Sequence, residues 1–434
     1  MFAATLLIAL NLVACGDDDT SPDAGDAGTL DSSPPVDSGP PDTGPAPDDS
    51  PWKGPWVIRG NTDRATVVWE SRLPVDVPTI DYEPEAGGAS MTASGSSVPW
   101  DVRGTYGVGN ILVDEPDPPG VFHMNSVEVT GLSPGTCYRY SIVGYAERGG
   151  RFCTMHPPED HTTPISFFVV GDTNPILTNT ARILEAGEPE TTEFAVHVGD
   201  LQYYDSIFET YQNWFPLMKP LLSAGSMFPC VGNHELEIDF ELEDYYSRFW
   251  ENPGHDGTSI RYHFETGGVH FFSLSTEHDL LEGSEQYEWF VARIAAAEAE
   301  ADYRFSIVFL HRPLYTVAYK PPLLDVRDAL EPVFAERNVA LVLSGHMHGY
   351  ERFEVGDLTY VTTGGGGSVR GDIDEHVMDY PEDAMLRVSS GSFFESMVIT
   401  IEGDALRGVT TDDLGMVRDS FEKTVVLGPR PVSP

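Results

Sequence analysis

The sequence predicts an α/β (α+β) chain: two mixed β-sheets packed together with flanking helices, preceded by a small all-β sandwich. Three observations carry this. Five apolar runs of buried-strand type, ISFFVVGD, FAVHVGD, MFPCVGN, RFSIVFLH and ALVLSGHMH, each finish in a hard oxygen or nitrogen donor. Helical stretches alternate with them, the clearest running from Ser284 to Ala301 behind a serine N-cap. Ahead of them, the chain from Trp52 to about Pro158 is cut into short alternating runs by Gly, Pro and Asp turns, which is sandwich spacing.

In chain order, residues 1–15 (MFAATLLIALNLVAC) are apolar, too short to span a bilayer, and read as an export signal. LVAC resembles a lipoprotein box with Cys15 as the lipidated residue. Residues 16–51 are almost entirely Asp, Pro, Ser, Gly, Thr and Ala. Such a tract buries no core and reads as a disordered acidic spacer, spanning about 30–35 Å as a random coil.

Residues 52–160 form the sandwich, through the runs ATVVWES, TIDYEP, NSVEVTGL, CYRYSIVGY and GRFCTM. In GLSPGTCYRY, Tyr138 looks like the strand-opening tyrosine of fibronectin type III domains. Cys137 and Cys153 flank a predicted hairpin, either paired in an oxidising compartment or standing as two half-buried thiols. Cys230 lies inside a strand and reads as inert core.

Residues 161–425 form the larger α/β domain, and 426–434 a tail. In open α/β sheets, ligands sit beyond the carboxyl ends of the strands, so Asp172, Asp200, Asn233, His311, His346 and His348 are all delivered where chemistry is done. Tyr203 follows Asp200 by three residues and faces the same centre. Carboxylate, amide, imidazole and phenolate donors, with no thiolate among them, suit iron, manganese or zinc rather than a structural zinc knot. Five such endings on one domain point to a metal cluster. His197 sits inside its strand and reads as core. Gly364–Gly367 are followed by no Lys-Ser or Lys-Thr and read as a tight turn rather than a P-loop. Glu351 and Arg352 read as braces of their loop.

The formal net charge of −44 favours solubility and excludes binding to nucleic-acid backbones, which takes Lys and Arg. An anionic substrate would then require a metal site that reverses the local field.

The ordered set GDx, GDxxY, GNHE, VxxH and GHxHxYER, here ending in GHMHGYER, resembles the calcineurin-like metallophosphoesterases and, within them, the purple acid phosphatases. The larger members of that family carry a fibronectin-like domain in front. The resemblance covers about the last 270 residues. It implies a first metal on Asp172, Asp200, Tyr203 and His348, and a second on Asp200, Asn233, His311 and His346, with Asp200 bridging. It implies Fe(3+) in the first position and a divalent Zn, Mn or Fe in the second. Many metallophosphoesterases read GDxH at the first motif, whereas this chain has Asn174 there and Tyr203 at the GDxxY position. The family usually has Gly where Asn174 stands; Asn either donates to phosphate or crowds the first metal.

The implied function is phosphomonoester hydrolysis of an acid-phosphatase type by attack of a metal-bound hydroxide, with His234 and Asp200 catalytic and with Asn233, His234 and Arg312 contacting substrate. His234 protonates the leaving oxygen. The alternatives are a phosphodiesterase on the same scaffold and a surface-binding lipoprotein with an inactive phosphatase domain. The expected partners are small phosphorylated substrates, with membrane contact only through a lipid at Cys15. The expected location is the cell envelope or surface, alternatively secretion.

Overall fold

The computed structural model describes residues 50–102, 120–175, 178–203, 207–236, 242–251 and 260–429. The expectations for the export signal, Cys15 and the acidic spacer fall outside them, as do residues 430–434 of the tail. No helix among the described residues is long and apolar enough to cross a membrane.

Two mixed sheets face each other. The seven-stranded one runs Tyr262–Thr266, Val269–Ser273, Phe305–Phe309, Val339–Ser344, Leu358–Thr363, Tyr350–Val355 and Arg387–Gly391. Opposite it, Val417–Thr424, Ala405–Asp412 and Glu395–Glu402 lead into the parallel trio Ile165–Val170, Phe194–His197 and Ser226–Pro229. Strand alternation explains the layering. Phe167 and Val169 turn into the core between the sheets, with Phe194, Phe271, Phe309 and Leu341. Phe168 and Val170 turn the other way, to a core with Trp214, Phe215 and Leu222 of the covering helices. The far face of the seven-stranded sheet is closed by Phe290 and Ile294 of helix Glu285–Glu298 and by Leu330 and Phe334 of helix Leu324–Glu336. Ser284 caps the former, its hydroxyl accepting from Tyr287 N–H at 3.2 Å.

The sandwich has two four-stranded faces. One is Met91–Ser94, Thr79–Pro84, Cys137–Ile142 and Tyr145–Cys153; the other is Pro51–Ile58, Arg64–Ser71, Gly120–Thr130 and Ser96–Val102. Trp69, Ile80, Val127, Tyr138 and Phe152 fill the space between them. Tyr138 Oη accepts from Ser133 N–H at 3.0 Å, the upstream backbone bond made by tyrosine corners. Cys137 and Cys153 lie opposite each other in the hairpin and form a disulfide. Cys230 is a buried free thiol.

The second sandwich face does not stop at its own edge. Strand Pro51–Ile58 pairs in parallel with Ser226–Pro229, Val57 opposite Ser226, which joins both parts into one ten-stranded sheet. Sandwich and α/β half accordingly fall in one compact unit. Residues just past the last strand are also tied down: Asn338 Nδ2 donates to Gly428 O at 2.8 Å.

Candidate metal centre

The donors stand beyond the strand ends rather than on them. Strand Ile165–Val170 stops two residues before Asp172, Phe194–His197 three before Asp200, and Ser226–Pro229 four before Asn233. The intervening turns are sharp. Asp172, Asp200 and His346 all take left-handed backbone conformations, with φ of 57°, 52° and 66°. Non-glycine residues hold that region at a cost, and they do so mainly where surrounding structure fixes them for function. At Asp200 the fixing group is Glu235. Its buried carboxylate accepts from Gly232 N–H at 2.7 Å, Leu201 N–H at 2.8 Å and Asp200 N–H at 3.0 Å, clamping the Asp200 turn to the Asn233 turn. Thr173 adds a second tie, donating to Leu201 O at 2.6 Å and accepting from Trp214 Nε1 at 3.0 Å. His197 leans on the same hydroxyl at 3.0 Å and is wholly buried; burial pulls its pKa down to about 3, so it is neutral core.

The side chains converge in two nests that share Asp200. Asp172, Asp200 and His348 form one, and Asp200, His311 and His346 the other, with ligand atoms inside each lying within 4.8 Å of one another. In the first, Tyr203 Oη lies 2.9 Å from Asp172 Oδ1, 3.0 Å from Asp200 Oδ2 and 2.8 Å from His348 Nε2. In the second, His311 Nε2 lies 3.1 Å from Asn233 Oδ1, 3.2 Å from Asp200 Oδ2 and 3.2 Å from His346 Nδ1. Two histidines are oriented by carbonyls: Nδ1 of His311 meets Val198 O at 2.8 Å and Nδ1 of His348 meets Val369 O at 2.6 Å. The carbonyls thus hold a proton on Nδ1 of each ring and turn Nε2 inward, as metal-binding histidines are held.

This donor set fits a pair of metal ions. Tyr203 has one proton for three acceptors within 3.0 Å. In the other nest, the lone pairs of His311, Asn233 and Asp200 point at one another, which is repulsive unless a cation stands between them. The protein supplies that charge with protons. Burial pulls the pKa of His311 down, but Asp200 and Asp172 together push it up to about 9. Burial would raise Asp200; His311, His234 and His346 hold it well below the ordinary carboxylate range. Asp172 goes the other way, raised by burial first, with His311 opposing and the Asp200 charge adding to the rise. Every donor is oxygen or nitrogen, and the nearby thiol of Cys230 is pushed up by burial and so kept from thiolate.

Residues 165–350 match the family described as calcineurin-like phosphoesterases. The chain carries a calcineurin-like phosphoesterase domain. Its relatives include purple acid phosphatase 22 of Arabidopsis thaliana, 29% identical over 240 residues, 53% of this chain and 54% of the relative. The probable purple acid phosphatase 20 of the same plant is 24% identical over 388 residues, 84% of this chain and 86% of the relative. The chain thus spans about half the length of the former and most of the latter. Among solved structures, purple acid phosphatase PPD1 of yellow lupin (Lupinus luteus) superposes with a TM-score of 0.70 at 19% identity, covering 86% of this chain and 74% of that one. The shared fold is therefore that of the metallophosphoesterases, with a β-rich region ahead of it.

Around the phosphoesterase nests, His234 lies against Tyr203, ring centroids 4.0 Å apart, and its backbone N–H donates to Asp200 Oδ1 at 3.0 Å. Arg312 is held in a two-pronged pair by Glu277, at 2.8 and 3.0 Å, and reaches His346 Nε2 at 3.2 Å. Asn174 is nearly buried, its backbone N–H bonded to Thr180 Oγ1 at 3.1 Å. Glu351 accepts from Thr316 at 2.5 Å and Arg387 at 3.0 Å, and Arg352 pairs with Asp419 at 2.7 Å; both stand on strand Tyr350–Val355 rather than in a loop, and brace that strand.

Sequence reasoning missed Glu235, Thr173, Glu277 and Tyr319, whose hydroxyl accepts from His348 N–H at 3.2 Å. Glu235 had a signal, a carboxylate next to His234 in GNHE. Glu277 had none, because only folding carries it across 35 residues to Arg312.

Proposed function

We propose that this protein is a binuclear metal-dependent phosphomonoesterase of the acid-phosphatase type. The observation that carries the reading is the pair of buried donor nests sharing Asp200. Asp172, Asp200, Tyr203 and His348 would hold Fe(3+), for which a phenolate is a hard, matched ligand. Asp200, Asn233, His311 and His346 would hold a divalent Zn, Mn or Fe. Such a metal pair supplies Lewis acidity toward phosphate and lowers the pKa of water.

The residues around it supply orientation and protons. Asp200 holds both nests at one spacing. Glu235 fixes the turns of Asp200 and Asn233, so the amide oxygen is placed before substrate arrives. Glu277 holds the Arg312 guanidinium beside His346, aligned to receive phosphate oxygens. His234 stands over Tyr203 without belonging to either nest, in reach of a leaving oxygen that needs a proton.

His234→Ala is expected to retain both metals and lower turnover on an alkyl phosphate by about 10²–10⁴-fold, the range for lost general-acid help. A nitrophenyl ester, whose leaving group departs as an anion, should lose far less. Equal losses on both esters with metals intact would remove His234 from the acid role. Comparing mono- with bis-nitrophenyl phosphate on the full chain tests the monoester preference.

Export and attachment through lipid at Cys15 belong to the same proposal. They are supported by the LVAC sequence, the acidic spacer and the Cys137–Cys153 disulfide, which suits an oxidising compartment. Cys15→Ser should free the protein from membranes with its activity intact; a variant that still sediments with membranes would end the anchor reading.

A further inference from the structure

Arg312 reaches the second nest from a platform, and the fold shows what builds it. Strand Val269–Ser273 lies parallel to Phe305–Phe309, and Leu274 N–H still reaches that neighbour, donating to Phe309 O at 3.0 Å. The chain then leaves the sheet through Ser275, Thr276 and Glu277. Thr276 Oγ1 accepts from Arg312 N–H at 3.0 Å. The Glu277 carboxylate accepts from the Arg312 guanidinium at 2.8 and 3.0 Å. One short step of chain thus sets both the backbone and the side chain of Arg312, whose Nη1 lies 3.2 Å from His346 Nε2.

A segment that leaves a sheet needs new partners for its backbone groups. Here a side chain supplies them. Gln286, 2% exposed in the first turn of helix Glu285–Glu298, lays its amide along Ser275. Its Oε1 accepts from Ser275 N–H at 2.8 Å, and its Nε2 donates to Ser275 O at 3.0 Å and to Asp279 O at 3.4 Å. One amide therefore answers both polar groups of one residue, as a partner strand would. Ser275 Oγ carries the constraint onward by accepting from Glu277 N–H at 3.3 Å. The helix is a firm base for this clasp, because Phe290 and Ile294 bury it against Phe272 and Val308 of the sheet.

We propose that Gln286 is a positioning residue for phosphate binding: by clasping Ser275 it holds Thr276 and Glu277 where they aim Arg312 at phosphate oxygens. This rests on the reading of Arg312 as a phosphate-binding group. Gln286 acts through Ser275 and not on the substrate.

The test is competitive inhibition by inorganic phosphate, with nitrophenyl phosphate as substrate, on the metal-loaded full chain. Metal content is measured on the same samples. Wild type, Gln286→Leu, Arg312→Ala and the double variant form a cycle. Arg312→Ala is expected to raise the phosphate Ki by about 10–100-fold, the range for a lost hydrogen bond to a charged group. Gln286→Leu should raise Ki and KM together by about 10-fold and change kcat far less. In the Arg312→Ala background it should raise Ki no further, because the group it positions is gone. Urea midpoints should still fall in both backgrounds, since the bonds to Ser275 are lost in either. If Gln286→Leu does not fold, Gln286→Glu takes its place in the cycle; it keeps the acceptor for Ser275 N–H and removes the donor. An equal rise in Ki in both backgrounds would make Gln286 structural only and overturn the proposal. An unchanged Ki in the single Gln286 variant, or loss of metal from it, would overturn it as well. An unchanged Ki in Arg312→Ala would instead remove Arg312 from phosphate, and this proposal with it.

Discussion

Charge is buried in two places in this protein, and the two are solved differently. At the seam between sandwich and α/β half, Glu70 is fully buried, with Lys53 Nζ at 2.5 Å and Arg248 Nη2 at 3.2 Å. Burial alone would raise Glu70, but Arg248 and Lys53 hold its pKa below the usual range. At the metal centre, Asp172 and Asp200 are just as buried, yet they face each other across one phenol and a set of imidazoles. One cluster carries its counter-charges in the chain. The other is a set of ligands that only an added cation completes. A structural ion cluster and a functional one are told apart here by whether the chain finishes them.

The sharpest way to break this contrast is Asp172→Asn. It keeps the shape and removes one of the paired carboxylates. Metal content should fall, and activity with it, by more than the roughly 10²-fold typical of losing a group that only orients a ligand. The metal-free variant should be at least as stable near neutral pH as the metal-free wild type, because a disfavoured buried charge is gone. Urea unfolding in chelator checks this; a large destabilisation would mean that Asp172 is structural in its own right.

Glu70→Gln is the mirror experiment. It strands two buried cations, and breaking a buried pair in this way costs about 3–5 kcal/mol. Metal content and turnover of the folded protein should not change. Parallel loss of metal would show that the seam and the site are one cooperative element.

A smaller effect sharpens the comparison from the side of pH. Glu395 under the glycine turn is raised by burial to about 8, with Thr363 and Gly365 opposing. Its folded pKa lies above the unfolded value, so its contribution is fully present below the unfolded pKa. That contribution is lost as pH rises toward about 8, by at most about 1.4 kcal/mol per pH unit. Glu395→Gln should flatten that decline. Urea midpoints at about pH 5 and about pH 8 measure it; parallel slopes in both proteins would assign the decline to other groups.

Much of the site was legible because motif chemistry is local. A run such as FAVHVGDLQY writes the strand, the turn and the donors in one line, and five such lines bring the donors to one end of the sheets. Glu235 stood in the same kind of line, in GNHE, but it went unread because its three-pronged clamp is not legible there. Glu277 and Glu395 were not legible. Each acts on a residue brought to it from elsewhere in the chain, and nothing in its own neighbourhood marks it.

The sequence by itself determined the alternating sandwich strands, the buried parallel strands and the identity of the donors, because periodicity and donor chemistry are properties of short stretches. Tertiary structure alone decided that Glu235 clamps the Asp200 turn to the Asn233 turn, that Arg312 is paired with Glu277, and that strand Pro51–Ile58 extends the sheet of the parallel trio. Those are facts of distance between residues far apart in the chain. They are set by how sheets pack and turns close, which no local pattern encodes.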